Sequence, residues 1–261
     1  MPDVPTDRCP TGFTLHPQPP RMRPHPSLSS HALLSTLTIC ALVVVAATAC
    51  NTSDGATTTK GGVTARNVAI TAAPGDSFSQ KIDQARIEGN PSAKVWMVMA
   101  SDFQCPYCKQ FHDQSFAALK HDYVDNGKVR IAFLNFPLEM HPNAFPAAQV
   151  AMCAGAQGKF WPMHDSLYTA QARWAPRPNP RPVFDSLATS IGIDTTAMAK
   201  CIASHLPDAM IQADIDRAEH AGVQSTPTII IGDKLIAGAR PTEQFRQALD
   251  AALAAASVAK K

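Results

Sequence analysis

The chain has 261 residues, of which 45% are hydrophobic, and a formal net charge of +2. That suffices for one domain of ordinary size with a real core, plus additional segments. Its basic residues are scattered rather than clustered, which excludes an electrostatic footprint for nucleic acid.

Residues 1–49 read as a leader. Residues 2–31 are rich in Pro, Ser and His and can bury little. Ala32–Ala49 is an apolar run with Arg21 and Arg23 upstream, and it exits through Ala46-Ala47-Thr48-Ala49-Cys50. Basic flank, apolar stretch and small-residue exit are the parts of a secretory signal. The cysteine at the exit resembles a bacterial lipoprotein signal, with Cys50 lipidated, although Ala47 stands where that motif usually has Leu. A plain transmembrane anchor is the competing reading, and the run is near the lower length limit for a span. Met22 is an alternative start. Residues 50–77, rich in Thr, Gly, Ala and Asp, read as a flexible tether holding the domain off the membrane.

The folded domain is expected over residues 78–257. A short helix near Ser79–Ile87 ends at Gly89-Asn90-Pro91. Val95–Ala100 is a continuous apolar run suited to a buried strand. After a turn, Pro106 opens a helix, since proline loses nothing in a first turn. Cys108, Phe111, Leu119 and Tyr123 give that helix an apolar side, and it stops near Asn126-Gly127. Val129–Phe136 is the next buried strand. Residues 143–221 are helical throughout, with helices expected at Ala147–Ala156, Phe160–Ala170, Val183–Ile191, Thr196–Ser204 and Asp208–Ala221. Trp174–Pro182, with proline at alternate positions, is expected to be an extended loop. Thr228–Ile231 and Lys234–Ala237 form a hairpin around Gly232-Asp233, and a last helix runs from about Pro241.

The seven cysteines sort by position. Cys9 and Cys40 leave with the leader and Cys50 carries lipid. Cys105 and Cys108 form a C-x-x-C. Cys153 and Cys201 remain, and an even remainder in an exported protein suggests a disulfide. Disulfide exchange needs a thiolate, and free cysteine is mostly protonated at neutral pH. Cys105 immediately precedes the first helical residue, where unpaired N–H groups and the positive helix end favour S⁻. Cys108, three residues on, lies back over the first turn within reach of Cys105. Spacing alone thus yields an attacking and a resolving thiol. The competing meaning of a C-x-x-C is half a zinc site, but no second C-x-x-C or C-x-x-H supplies the missing ligands.

Ser101-Asp102-Phe103-Gln104-Cys105-Pro106-Tyr107-Cys108 resembles the active-site segment of DsbA-like disulfide oxidoreductases of the thioredoxin superfamily. The resemblance continues through Phe136-Pro137-Leu138, His141-Pro142, Gly158-Lys159-Phe160-Trp161, His164-Asp165 and Thr226-Pro227-Thr228. It implies an α/β thioredoxin-like fold with a helical domain inserted at about residues 143–221. It also implies that Pro227 is a cis-proline beside the active-site pair, and that the backbone of Thr226 pairs with bound substrate. Pro106 and Tyr107, between the cysteines, support the same site. The chain departs from thioredoxins at Met99, where they carry a buried acid. Asp102 is either an exposed or capping residue or a proton-transfer group. His141 and His164 read as structural histidines, Trp161 as core, and Glu139 and Lys109 as solvated charges.

The functional expectation is dithiol–disulfide exchange on exported proteins, with direction open between oxidase, reductase and isomerase. The Pro-Tyr dipeptide and Thr226 resemble the reductase and isomerase members. Isomerases usually carry a separate dimerisation domain, which residues 51–77 are too short and polar to form, so a monomer is expected. Substrate proteins with thiols or disulfides and a membrane redox partner are the implied partners. The reading includes no cofactor and no resident metal. The alternative is a periplasmic Cu(I) metallochaperone using Cys105 and Cys108, since soft thiolates suit Cu(I). No Met or His cluster flanks the motif to favour it.

Overall fold

Two apolar runs form the centre of the sheet. Strand β2 (Val95–Ser101) and strand β3 (Val129–Asn135) are buried at every position but their second residue. They pair in parallel with Trp96 beside Arg130, so the two half-buried positions are neighbours. The Arg130 guanidinium lies over the indole, 4.2 Å from the ring centroid. The structure is a computed structural model that describes residue 65 and residues 77–258. The expected leader, Cys50 and all of the expected tether but residues 65 and 77 lie outside the described residues.

Helix α1 (Ser77–Ala85) precedes the short strand β1 (Ile87–Glu88). After β2 comes a continuous helical rod. It starts as α2 (Pro106–Phe111), widens into π-type turns at His112–Phe116, tightens to one α turn, α3 (Ala117–Leu119), and widens again at Lys120–Asp125. Helices α4 (Ala144–Ala156), α5 (Phe160–Thr169), α6 (Gln171–Trp174), α7 (Arg181–Ser190), α8 (Thr195–Ala203) and α9 (Leu206–His220) follow β3. The hairpin β4 (Thr228–Ile231) and β5 (Lys234–Ala237) and helix α10 (Thr242–Val258) complete the chain. The strand order is β1-β3-β2-β4-β5. Only β2–β3 is parallel, because only they are joined by a helical crossover rather than a hairpin or longer return.

Strand alternation divides the core. Met97, Met99, Ile131, Phe133, Ile229 and Ile231 face the larger cluster, with Leu119 of the rod and Phe245 and Leu249 of α10. Val98, Ala100, Ala132, Leu134 and Ile230 face the other, with Ala218 and Ala221 at the end of α9. Six helices between β3 and β4 form the inserted segment. A Cys153–Cys201 disulfide ties α4 to α8, with Cα atoms 5.8 Å apart. The insertion is anchored to the sheet by charge. Arg86 is wholly buried and pairs with Asp83 and with Asp214 of α9, while Asp214 also accepts from Asn135 Nδ2 at 2.8 Å.

One expected boundary needs correction. The extended loop expected over Trp174–Pro182 is confined to residues 175–180. Trp174 closes a short helix through a Nε1–H bond to the Leu167 carbonyl at 2.8 Å. Pro182 falls in the first turn of α7, where its missing N–H is harmless. Asn179 Oδ1 accepts the Arg181 N–H at 3.1 Å and starts that helix.

Candidate active site

Cys105 and Cys108 sit where β2 gives way to α2. Cys105 is the cap residue, with extended backbone (φ −66°, ψ 126°), and Pro106 follows as the first helical residue. Both cysteines are free thiols and both are buried. Tyr107 between them is 62% exposed and marks the site on the surface.

Asp102 builds the turn that aims the pair. Its Oδ1 accepts the backbone N–H of Gln104 at 2.7 Å and of Cys105 at 3.2 Å. Its Oδ2 accepts the N–H of Leu138 at 3.0 Å and lies 2.6 Å from His141 Nδ1. Its own N–H donates to Cys108 Sγ at 3.4 Å. Asp102 is therefore a buried group that organises the loop. Gln171 reinforces the turn from α6, donating to the carbonyls of Phe103 (2.7 Å) and Cys105 (3.1 Å).

The Thr226–Pro227 peptide is cis. It brings the Thr226 carbonyl to 3.5 Å from Cys105 Sγ, within reach of a thiol donor. The Thr226 hydroxyl is buried with no hydrogen-bond partner among the described residues.

These surroundings split the two thiols. The Cys108 thiol hydrogen-bonded to the Cys105 sulfur, together with the backbone N–H groups of Cys108 and Tyr107 and against the opposing effect of burial, lowers its pKa from 9.0 to about 6. Burial pushes the Cys108 thiol well above its ordinary value, and the hydrogen bond and charge of Cys105 push the same way. The Ser101 hydroxyl and the Asp102 N–H partly oppose this. Ser101 Oγ in turn lies 2.8 Å from the hydroxyl of buried Tyr168, behind Cys108. The Cys105 sulfur is thus the more readily deprotonated of the two.

Among the other residues singled out, His141 serves the Asp102 turn. His164 is buried on α5 and lies 2.8 Å from Asp165 Oδ1. Trp161 is only partly buried, stacked on Phe116 at 5.7 Å, so it lies at the rim of the core rather than within it. Lys109 pairs with Asp113 at 2.7 Å on the surface, and Glu139 is exposed. Met99, in the position of the thioredoxin acid, is buried core. Sequence reasoning did not find Ser101, Tyr168 or Gln171. The Asx-turn spacing of Asp102 to Gln104 was the one available signal for the turn.

The Thioredoxin family model matches residues 81–251. Probable disulfide bond formation protein D of Bacillus anthracis is 28% identical over 56% of this chain and 69% of its own length. The crystal structure of oxidised BdbD from Bacillus subtilis aligns with 64% of this chain and 92% of that chain, at 23% identity and a TM-score of 0.59. The chain also matches Na(+)/H(+) antiporter NhaA 3 of Salinispora tropica, at 31% identity over 67% of this chain. That match covers 26% of the antiporter, so the chain spans about a quarter of the first curated relatives it resembles. Among the described residues no helix is long and apolar enough to cross a membrane. The chain belongs to the Thioredoxin family, with a fold like that of BdbD.

Proposed function

We propose that this chain is an exported protein thiol–disulfide oxidoreductase working through Cys105-Pro106-Tyr107-Cys108. The observation that carries the reading is the geometry of the pair, two free thiols at the start of α2 with the Thr226 carbonyl 3.5 Å from Cys105 Sγ, and it is supported by the lowering of Cys105 to about 6 and the raising of Cys108. The Cys105 thiolate attacks a substrate disulfide, forming a mixed disulfide and releasing one substrate thiolate. Cys108 then loses its proton and attacks the Cys105 sulfur, closing the intramolecular disulfide and releasing the second thiolate. Run backwards, a substrate thiolate opens the Cys105–Cys108 bond and leaves oxidised.

Thr226 is the substrate-pairing residue in this reading, because its carbonyl lines the approach to Cys105. Residues 1–49 direct export, Cys50 carries the lipid anchor, and residues 50–77 tether a monomeric domain of residues 78–257 to the membrane. Exported proteins with thiols or disulfides are its substrates, and a membrane redox partner resets it. The Cu(I) alternative is not favoured. The one group of three or more His, Cys, Asp or Glu donors among the described residues does not include Cys105 or Cys108.

Stabilising the thiolate stabilises the reduced form and raises the potential. A Cys105 value of about 6 lies between about 3.5 for a strong oxidant and about 7 for thioredoxin. The reduction potential is therefore expected between about −120 and about −270 mV. Equilibration with glutathione measures it. In the same preparation, insulin reduction or oxidation of a reduced unfolded protein should depend on Cys105. Turnover that survives Cys105→Ser rejects the function.

A further inference from the structure

Behind the redox helix, three donor side chains converge from two elements. Asp165 Oδ1, on α5, lies 2.8 Å from His164 Nδ1 and 3.3 Å from His112 Nε2. His112 opens the first π-type turn of the helical rod, one turn beyond Cys108. The three ligand atoms lie within 4.8 Å of one another. For ligands 2.0–2.1 Å from a tetrahedral ion, the ligand–ligand edge is about 3.3 Å. The His112–Asp165 edge has that length already, and the His164–Asp165 edge needs to open by about half an ångström.

The surroundings have the form of a metal site's outer shell. A metal-ligating histidine usually directs its second ring nitrogen to a carboxylate or carbonyl. His112 Nδ1 lies 3.0 Å from Asp113 Oδ1, and Asp113 is itself held by Lys109. His164 is boxed by the rings of Phe103, Phe116, Phe133, Trp161 and Tyr168, with centroids 5.0–5.9 Å away. The site has a closed side and an open one. The side chain of His164 is 3% exposed, that of His112 15% and that of Asp165 56%. An ion would enter past Asp165 and keep a water on that side.

The geometry points to His112, His164 and Asp165 as a site for a divalent ion of the Zn(II) class, bracing the redox helix against the inserted helices. Two imidazoles and one carboxylate suit Zn(II) better than Mg(II) or Ca(II), which take oxygen ligands. The ligands come from positions 53 residues apart and share no motif spacing, so the site is invisible in the sequence.

The test uses the full chain, oxidised so that Cys105 and Cys108 are joined and with remaining thiols alkylated, titrated with Zn(II) alone by calorimetry. One high-affinity equivalent is expected, together with a rise in Tm. His112→Gln and Asp165→Asn should each abolish the event. Asp113→Asn, which leaves all three ligands in place, should weaken it by roughly 10- to 100-fold. These three positions are more exposed than His164, and circular dichroism verifies that each variant is folded. A wild-type protein that takes up no Zn(II), or uptake that persists undiminished in folded His112→Gln and Asp165→Asn, overturns the site.

Discussion

Asp102 and His141 face each other at 2.6 Å in the turn before the redox helix. The same carboxylate holds the N–H groups of Gln104, Cys105 and Leu138. One buried side chain thus fixes both the segment that carries Cys105 and the segment after β3. Asp102→Ala strips these donors of their acceptor in a dry environment. Hydrogen bonds to charged groups are worth about 1.5–3 kcal/mol each, and the losses in one network are not additive. We expect a stability loss of roughly 2–4 kcal/mol by urea unfolding of the oxidised protein. A loss within about 0.5 kcal/mol, the range of ordinary surface substitutions, would show that the turn holds without it.

The lowered Cys105 pKa sets the pH dependence of the redox couple. Reduction of the disulfide takes up two protons below a pKa of about 6 and one above it, until Cys108 titrates. The potential should fall by about 59 mV per pH unit below the break and about 30 mV above it. Stability follows the same sign. The folded value of Cys105 lies below the unfolded one, so its contribution to the reduced protein is complete above about 9 and is lost as pH falls through about 6. The oxidised protein lacks this dependence. Cyclic equilibration between pH 5 and 9 with a single slope would contradict the assignment.

Arg86 joins α1 to α9 and hence the core to the insertion. Arg86→Leu leaves Asp83 and Asp214 buried without their cation, which costs about 3–5 kcal/mol when a buried pair is broken from one side. Arg217, which pairs with Asp214 at 2.6 Å, softens the loss without reaching Asp83. Chemical denaturation of the oxidised variant measures it. A second variant with Asp83→Asn and Asp214→Asn added should recover part of the loss, because the uncompensated charge is then gone.

The Cys153–Cys201 bond closes a loop of 48 residues. The chain-entropy treatment assigns such a loop about 4 kcal/mol. Cys153→Ala with Cys201→Ala should lower stability by up to that amount and leave exchange through Cys105 intact. Thiol counting in graded reductant should open Cys105–Cys108 first.

What was legible in the sequence was what local pattern determines. The apolar runs of β2 and β3, the Pro106 helix start and the Gly232-Asp233 hairpin each rest on a few adjacent residues. The C-x-x-C between a strand and a helix placed the thiols for the same reason. The π-type turns at His112–Phe116 and Lys120–Asp125 were not among the elements expected from the sequence. The role of Asp102 depends on Leu138 and His141, that of Arg86 on Asp214, and that of Ser101 on Tyr168. Each pair is joined by tertiary packing alone. Arg86 is the sharpest example, because an arginine after a helix reads as surface until both carboxylates arrive.

The assignment of Cys105 as attacker and Cys108 as resolver is tested most directly by trapping. Cys105→Ser and Cys108→Ser variants of the full chain are incubated with a disulfide-bearing substrate, and adducts are resolved without reductant. Cys108→Ser should accumulate a mixed disulfide through Cys105, because nothing remains to release it. Cys105→Ser should accumulate none, since the remaining thiol is held protonated. Adducts carried by Cys108 in place of Cys105 would contradict the account.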